Sequence, residues 1–126
     1  MKTRLNHVAL QYSDKSKAKI FFTDILKIPK IRSFSLNNDL SENIFGLKEN
    51  VDIDVYDNGE VRFEVFYTGK LNKSSFSHFC IEIENKQDFI EICKKNGLNP
   101  FIIKKDQKEL LFVKDFSNNL YEVKEL

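Results

Sequence analysis

The chain echoes itself. Leu5-Asn6-His7-Val8-Ala9-Leu10 reappears in kind as Phe76-Ser77-His78-Phe79-Cys80-Ile81, 71 residues later (7 to 78). Phe63-Glu64-Val65 reappears as Tyr121-Glu122-Val123, 58 residues later (64 to 122). That period is too long for a solenoid repeat, whose units run about 20–50 residues. It implies two halves of one architecture, with the longer middle stretch of the first half absorbing the difference between the two offsets.

Each half reads as a strand, a helix and three more strands. In the first, residues 5–12 form a strand, Ser13-Asp14 caps a helix, and Ala18, Phe21, Phe22, Ile25 and Leu26 make one apolar stripe along it. Pro29 stops that helix and residues 31–36 form the next strand. Residues 37–50 are polar around Ile44, Phe45 and Leu47, and are expected to be a loop that covers a ligand or a core edge. A hairpin follows, with runs 51–56 and 61–67 joined through Asn58-Gly59. In the second half the strands are expected at 76–83, 100–104, 109–113 and 120–126. A helix begins at the Asn85 cap and ends at Asn96-Gly97. The fold expected is α+β: two tandem βαβββ modules, about 1–68 and 76–126, joined by a 69–75 linker within one domain over 1–126.

Composition removes several functions. With 20 Lys and Arg against 19 Asp and Glu, the chain lacks the basic field of a nucleic-acid binder. No apolar run approaches the ~20 residues of a membrane span, and no signal-peptide core follows Met1-Lys2-Thr3-Arg4. Two cysteines, Cys80 and Cys93, build no disulfide framework. A cytoplasmic location is the expectation.

The two histidines are the only ones in the chain, and each half pairs one with a Glu on its last strand. Strand parity puts His7 on the face of Ala9 and Gln11, opposite Val8 and Leu10. His78, Glu64 and Glu122 lie likewise on the faces turned away from the helices. Taken singly, each is an ordinary half-buried side chain, with Arg62 or Lys124 available to neutralise its carboxylate. Taken together, two imidazoles and two carboxylates converging on a pseudo-two-fold make a site for one divalent metal ion: Ni²⁺, Zn²⁺, Co²⁺, Fe²⁺ or Mn²⁺. Of the remaining candidates, Cys80 reads as a small core residue and Gln11 as a group that orients His7.

This pattern resembles the vicinal oxygen chelate superfamily, the glyoxalase I, bleomycin-resistance and dioxygenase fold, over nearly the whole chain. The resemblance rests on Leu5–Leu10, on Ala18-x-x-Phe21-Phe22-x-x-x-Leu26, on Ser77-His78-Phe79-Cys80 and on Asn119-Leu120-Tyr121-Glu122-Val123. It implies His7, Glu64, His78 and Glu122 as metal ligands, in an order similar to bacterial-type glyoxalase I. It implies a lyase or isomerase that takes a proton from carbon beside a metal-chelated carbonyl and hydroxyl pair, with Glu122 the base and Glu64 second. The other members implied are acyl-CoA epimerases of the methylmalonyl-CoA type and non-catalytic small-molecule-binding or resistance proteins. A homodimer is also implied, with the two halves pairing within one chain or swapping between two. Two departures stand out. Lys27 occupies the family's usual Gly position after the first helix, and Asp115-Phe116-Ser117-Asn118-Asn119 replaces its Asp-Pro-Asp-Gly-Asn turn.

Overall fold

The computed structural model describes all 126 residues, and the chain divides into two compact units, Met1–Lys70 and Leu71–Leu126. The first unit runs β1 (Val8–Tyr12), α1 (Lys15–Lys19, continuing as a π-helical segment Ile20–Ile25), β2 (Lys30–Leu36), α2 (Asn38–Phe45), β3 (Val51–Asp57) and β4 (Arg62–Tyr67). The second runs β5 (Phe79–Ile83), α3 (Lys86–Lys95), β6 (Phe101–Lys105), β7 (Lys108–Lys114) and β8 (Leu120–Glu125). The two sheets have the same order, β1-β4-β3-β2 and β5-β8-β7-β6. In each, the first strand lies parallel to the last and the other pairs are antiparallel. The βαβββ repeat expected from the sequence is therefore present in both units.

The core of the first unit is aromatic. Phe22 is fully buried and packs against Tyr12, Phe21, Tyr56 and Phe63, with ring centroids 5.0–5.7 Å apart. The helix that carries it starts at Asp14, whose carboxylate accepts the Lys17 N–H. It then widens to π geometry, with Leu26 N–H reaching the Phe21 carbonyl. It ends on Lys27 at φ 60°, the left-handed conformation a glycine would take without strain. The second unit buries Phe89, Cys93, Leu98, Leu111, Val113, Tyr121 and Val123.

Three expectations need correction. The stretch 37–50 is not an open loop: Asn37 caps α2 through its side chain at the Leu40 N–H, and Gly46 closes it at φ 71°. The strand beginnings come later than expected, at Val8 and Phe79, so His7 and His78 stand one residue before their strands rather than in the middle of them. Ladder pairing sets this limit, since Val8 is the first β1 residue with a partner on β4. Cys80 is exposed, not part of the core, because its parity puts it on the outer face of β5.

The turn before β8 compensates for its missing glycine. Asn118 itself adopts φ 64°. The buried Asp115 accepts the Ser117 and Asn119 backbone N–H groups, the Asn119 side-chain amide and the Tyr121 hydroxyl. Burial pushes this carboxyl above its ordinary value, against the pull of those donors.

Candidate metal centre

The parallel pairing of first and last strands brings each His to its Glu. Ala9 is the register partner of Glu64, and Cys80 is the register partner of Glu122. Each His therefore sits two residues before its Glu's partner on the same strand face, diagonal to the carboxylate. His7 Nδ1 is 3.5 Å from Glu64 Oε2, and His78 Nε2 is 3.7 Å from Glu122 Oε1. The carboxylates are well covered, at 14% and 21% side-chain exposure, and the imidazoles are more open, at 38% and 40%.

These distances exceed an N–H···O hydrogen bond of about 2.7–3.2 Å. They suit two donors facing one ion. Bonds of about 2.0–2.2 Å to a common metal put neighbouring donor atoms about 3.0–3.6 Å apart, a range that the first pair meets and the second, at 3.7 Å, slightly exceeds. Arg62 does not neutralise Glu64, because it is paired with Asp57, with Nε 2.7 Å from Oδ2. Neither Glu64 nor Glu122 forms an ion pair with Lys or Arg, and a half-buried carboxylate without a cation is costly. The donor set thus fits a divalent cation. Each pair by itself offers one imidazole and one carboxylate, and no third His, Cys, Asp or Glu joins either pair.

The second pair is the better prepared. His78 Nδ1 lies 2.9 Å from the Phe76 carbonyl, which holds the tautomer that leaves Nε2 free toward Glu122. Asn6 Oδ1 lies 2.8 Å from His7 Nδ1, the same nitrogen that faces Glu64, so the hydrogen bond keeps the proton there and has to break before Nδ1 can hold a metal. Asn6, not Gln11, is the neighbour found there, and the Gln11 side-chain carbonyl accepts from Thr68 Oγ1 at 3.0 Å. The sequence signal for Asn6 was its position next to His7, with an amide short enough to reach back to the ring.

The architecture has counterparts among solved structures. The fosfomycin resistance protein FosX from Listeria monocytogenes superposes with a TM-score of 0.75 at 18% identity, over 100% of this chain and 95% of that one. FosX from Mesorhizobium loti superposes with a TM-score of 0.71 at 14% identity, over 98% and 92%. A glyoxalase family protein from Enterococcus faecalis gives 0.69 at 17% identity, over 95% of each chain. A point mutant of the L. monocytogenes protein has been crystallised with Mn(II) and 1S,2S-dihydroxypropylphosphonic acid. No protein-family model matches the sequence, and no curated protein matches it. The fold is that of the vicinal oxygen chelate superfamily. No helix is long and apolar enough to cross a membrane.

Proposed function

We propose that the chain is a metal-dependent enzyme of glyoxalase type. His7, Glu64, His78 and Glu122 hold one divalent ion, and the reaction is removal of a proton from carbon beside a carbonyl and hydroxyl pair. The observation that carries this reading is the repeated His–Glu pair, at matching positions of both units, with no Lys or Arg neutralising either carboxylate. When bound, the ion supplies Lewis acidity toward two neighbouring substrate oxygens. Glu122 takes the proton, because its Oε1 faces a ring whose other nitrogen is already committed, so the carboxylate can turn without releasing His78. Glu64 keeps its place as a ligand and is the second candidate for base.

A second reading, a resistance protein acting on fosfomycin, draws on the likeness to FosX. The fourth donor, Glu64, favours the first reading, since the fosfomycin branch is by resemblance a three-ligand site. An assay panel separates them: hemithioacetals of methylglyoxal with several thiols, acyl-CoA epimers, and fosfomycin. Elemental analysis and Mn²⁺-dependent thermal shift test the metal itself. Wild-type protein that purifies without metal and gains no stability with Mn²⁺ would sink both. Glu122→Gln is expected to bind the metal more weakly, yet still measurably, while turnover falls at least ~100-fold, in the range a positioned base contributes.

A further inference from the structure

The first unit holds a cavity of about 220 Å³ that the metal reading leaves without a role. Its floor is the Glu64 face of the sheet, and α2 forms its wall, with Phe45 edge-on to Phe66 at 5.6 Å. The floor begins at Ala9, two residues beyond His7 on the same strand face, a step of about 7 Å. A small molecule touching the His7–Glu64 pair therefore reaches this cavity with its next few atoms. A cavity of about 150 Å³ is enough to hold benzene, so a phenyl ring or a branched alkyl group fits.

The lining specifies the chemistry of that arm. No Lys, Arg or His contributes to it, and its one charged residue is Glu49. An anionic group would meet repulsion there and no cation. Ser41 also lines it, on α2, at 2% exposure, and its hydroxyl has no hydrogen-bond partner. A helical serine usually returns its hydroxyl to a carbonyl one turn back, but this one does not. Leaving such a group unpaired carries a desolvation penalty, and a ligand atom that bonds it removes the cost. The Gln11 carbonyl, by contrast, is already engaged by Thr68.

We propose that this cavity takes the neutral, apolar arm of a small organic substrate, whose one polar atom bonds Ser41 Oγ. The placement of the substrate's chelating end rests on the metal reading; the cavity's preference for an uncharged arm does not. The substrate class is then an aryl- or alkyl-bearing α-oxygenated compound rather than a compact phosphonate.

The test uses the full chain, metal-free and ¹⁵N-labelled, titrated with benzyl alcohol, toluene and benzoate. Benzyl alcohol is expected to shift the Ala9, Ser41 and Phe66 amides, with benzoate at least about tenfold weaker. Ser41→Ala is expected to weaken benzyl alcohol about fivefold and leave toluene unchanged. Ser41→Leu fills the space and abolishes both; should it fail to fold, Ala9→Leu narrows the cavity from the sheet side and is read the same way. Benzoate binding as tightly as benzyl alcohol, or shifts that survive the filled cavity, would overturn the proposal. Absence of any shift would overturn it too, leaving water as the partner of Ser41. Mn²⁺ thermal shift on the same samples keeps the two ideas apart. Loss of the metal response with benzyl alcohol still bound removes the metal reading and leaves the cavity's.

Discussion

Cys80 stands exposed on β5, in register with Glu122, while Cys93 is buried on α3 and its thiol is pushed up to about 12 by burial. Iodoacetamide on metal-free protein at about pH 8 is therefore expected to give one adduct, at Cys80, read by peptide mass spectrometry. The buried thiol also ties stability to pH. Its folded value lies above the ordinary 9.0, so the fold favours the protonated form. That contribution is complete below about pH 9 and is lost as pH rises toward 12. Urea unfolding of Cys93→Ala is expected to lose this part of the alkaline decline that wild type shows. Asp115 makes a second residue-scale case. Asp115→Ala strands two backbone N–H groups, the Asn119 amide and the Tyr121 hydroxyl, and is expected to cost about 2–4 kcal/mol in the same measurement. The site pairs were legible in sequence because histidine is scarce and parity is strict. Asn6 was marked only by its place next to His7, and Ser41 not at all, because a short polar side chain gives no sign of whether its hydrogen bond is made locally, made at a distance, or left open.

At the scale of elements, α2 shows why a short helix escapes a pattern reading. Its apolar residues, Leu40, Ile44 and Phe45, lie at helical spacing but stay exposed, and over eight residues they make too short a stripe to read. The informative marks were its ends: Asn37 three residues before Leu40, and Gly46 where a left-handed residue is needed. The π segment escaped for another reason. Ala18, Phe21, Phe22 and Ile25 satisfy an α-helical stripe, and the wider turn shows only in the backbone bonding, where Leu26 N–H reaches the Phe21 carbonyl. Phe22→Ala is expected to cost about 3–5 kcal/mol. Lys27, at φ 60°, gives a prediction of the opposite sign. A left-handed L-residue costs about 1–2 kcal/mol, and glycine loses about 0.5–1 kcal/mol of extra chain entropy on folding. Lys27→Gly is thus expected to stabilise the protein by about 0.5 kcal/mol, seen as a higher urea midpoint.

For the molecule as a whole, two donors reside in each unit, so the proposed centre needs both. If the pairs that meet come from different chains of a homodimer, variants complement one another. Mixing and refolding His7→Ala with Glu122→Ala assembles one site lacking both residues and one with all four ligands. About half of the mixed dimers' sites are then expected to regain Mn²⁺ binding, measured by titration calorimetry. Mixing His7→Ala with Glu64→Ala, both in the first unit, is expected to restore nothing. Restoration in neither mixture would assign the four ligands to a single chain. The duplication was plain in the sequence, through the two offsets, because strand parity and register repeat faithfully in both units. Which copies pair was not legible, since that depends on contacts along residues 68–78, which form neither helix nor strand.

The parallel closure of each sheet bears on how the cavity wall arose. Joining β1 to β4 closes a loop from Val8 to Phe63, and joining β5 to β8 closes one from Phe79 to Tyr121. Most of the difference lies in one connection: residues 37–50 between β2 and β3, against only 106–107 between β6 and β7. Loop-closure entropy grows with the logarithm of length, so the longer first loop costs only about 0.2 kcal/mol more. A duplicated fold can therefore lengthen one of its two equivalent turns almost without thermodynamic penalty. Substrate preference in such a chain is free to diverge in the first half while the second preserves the shorter frame.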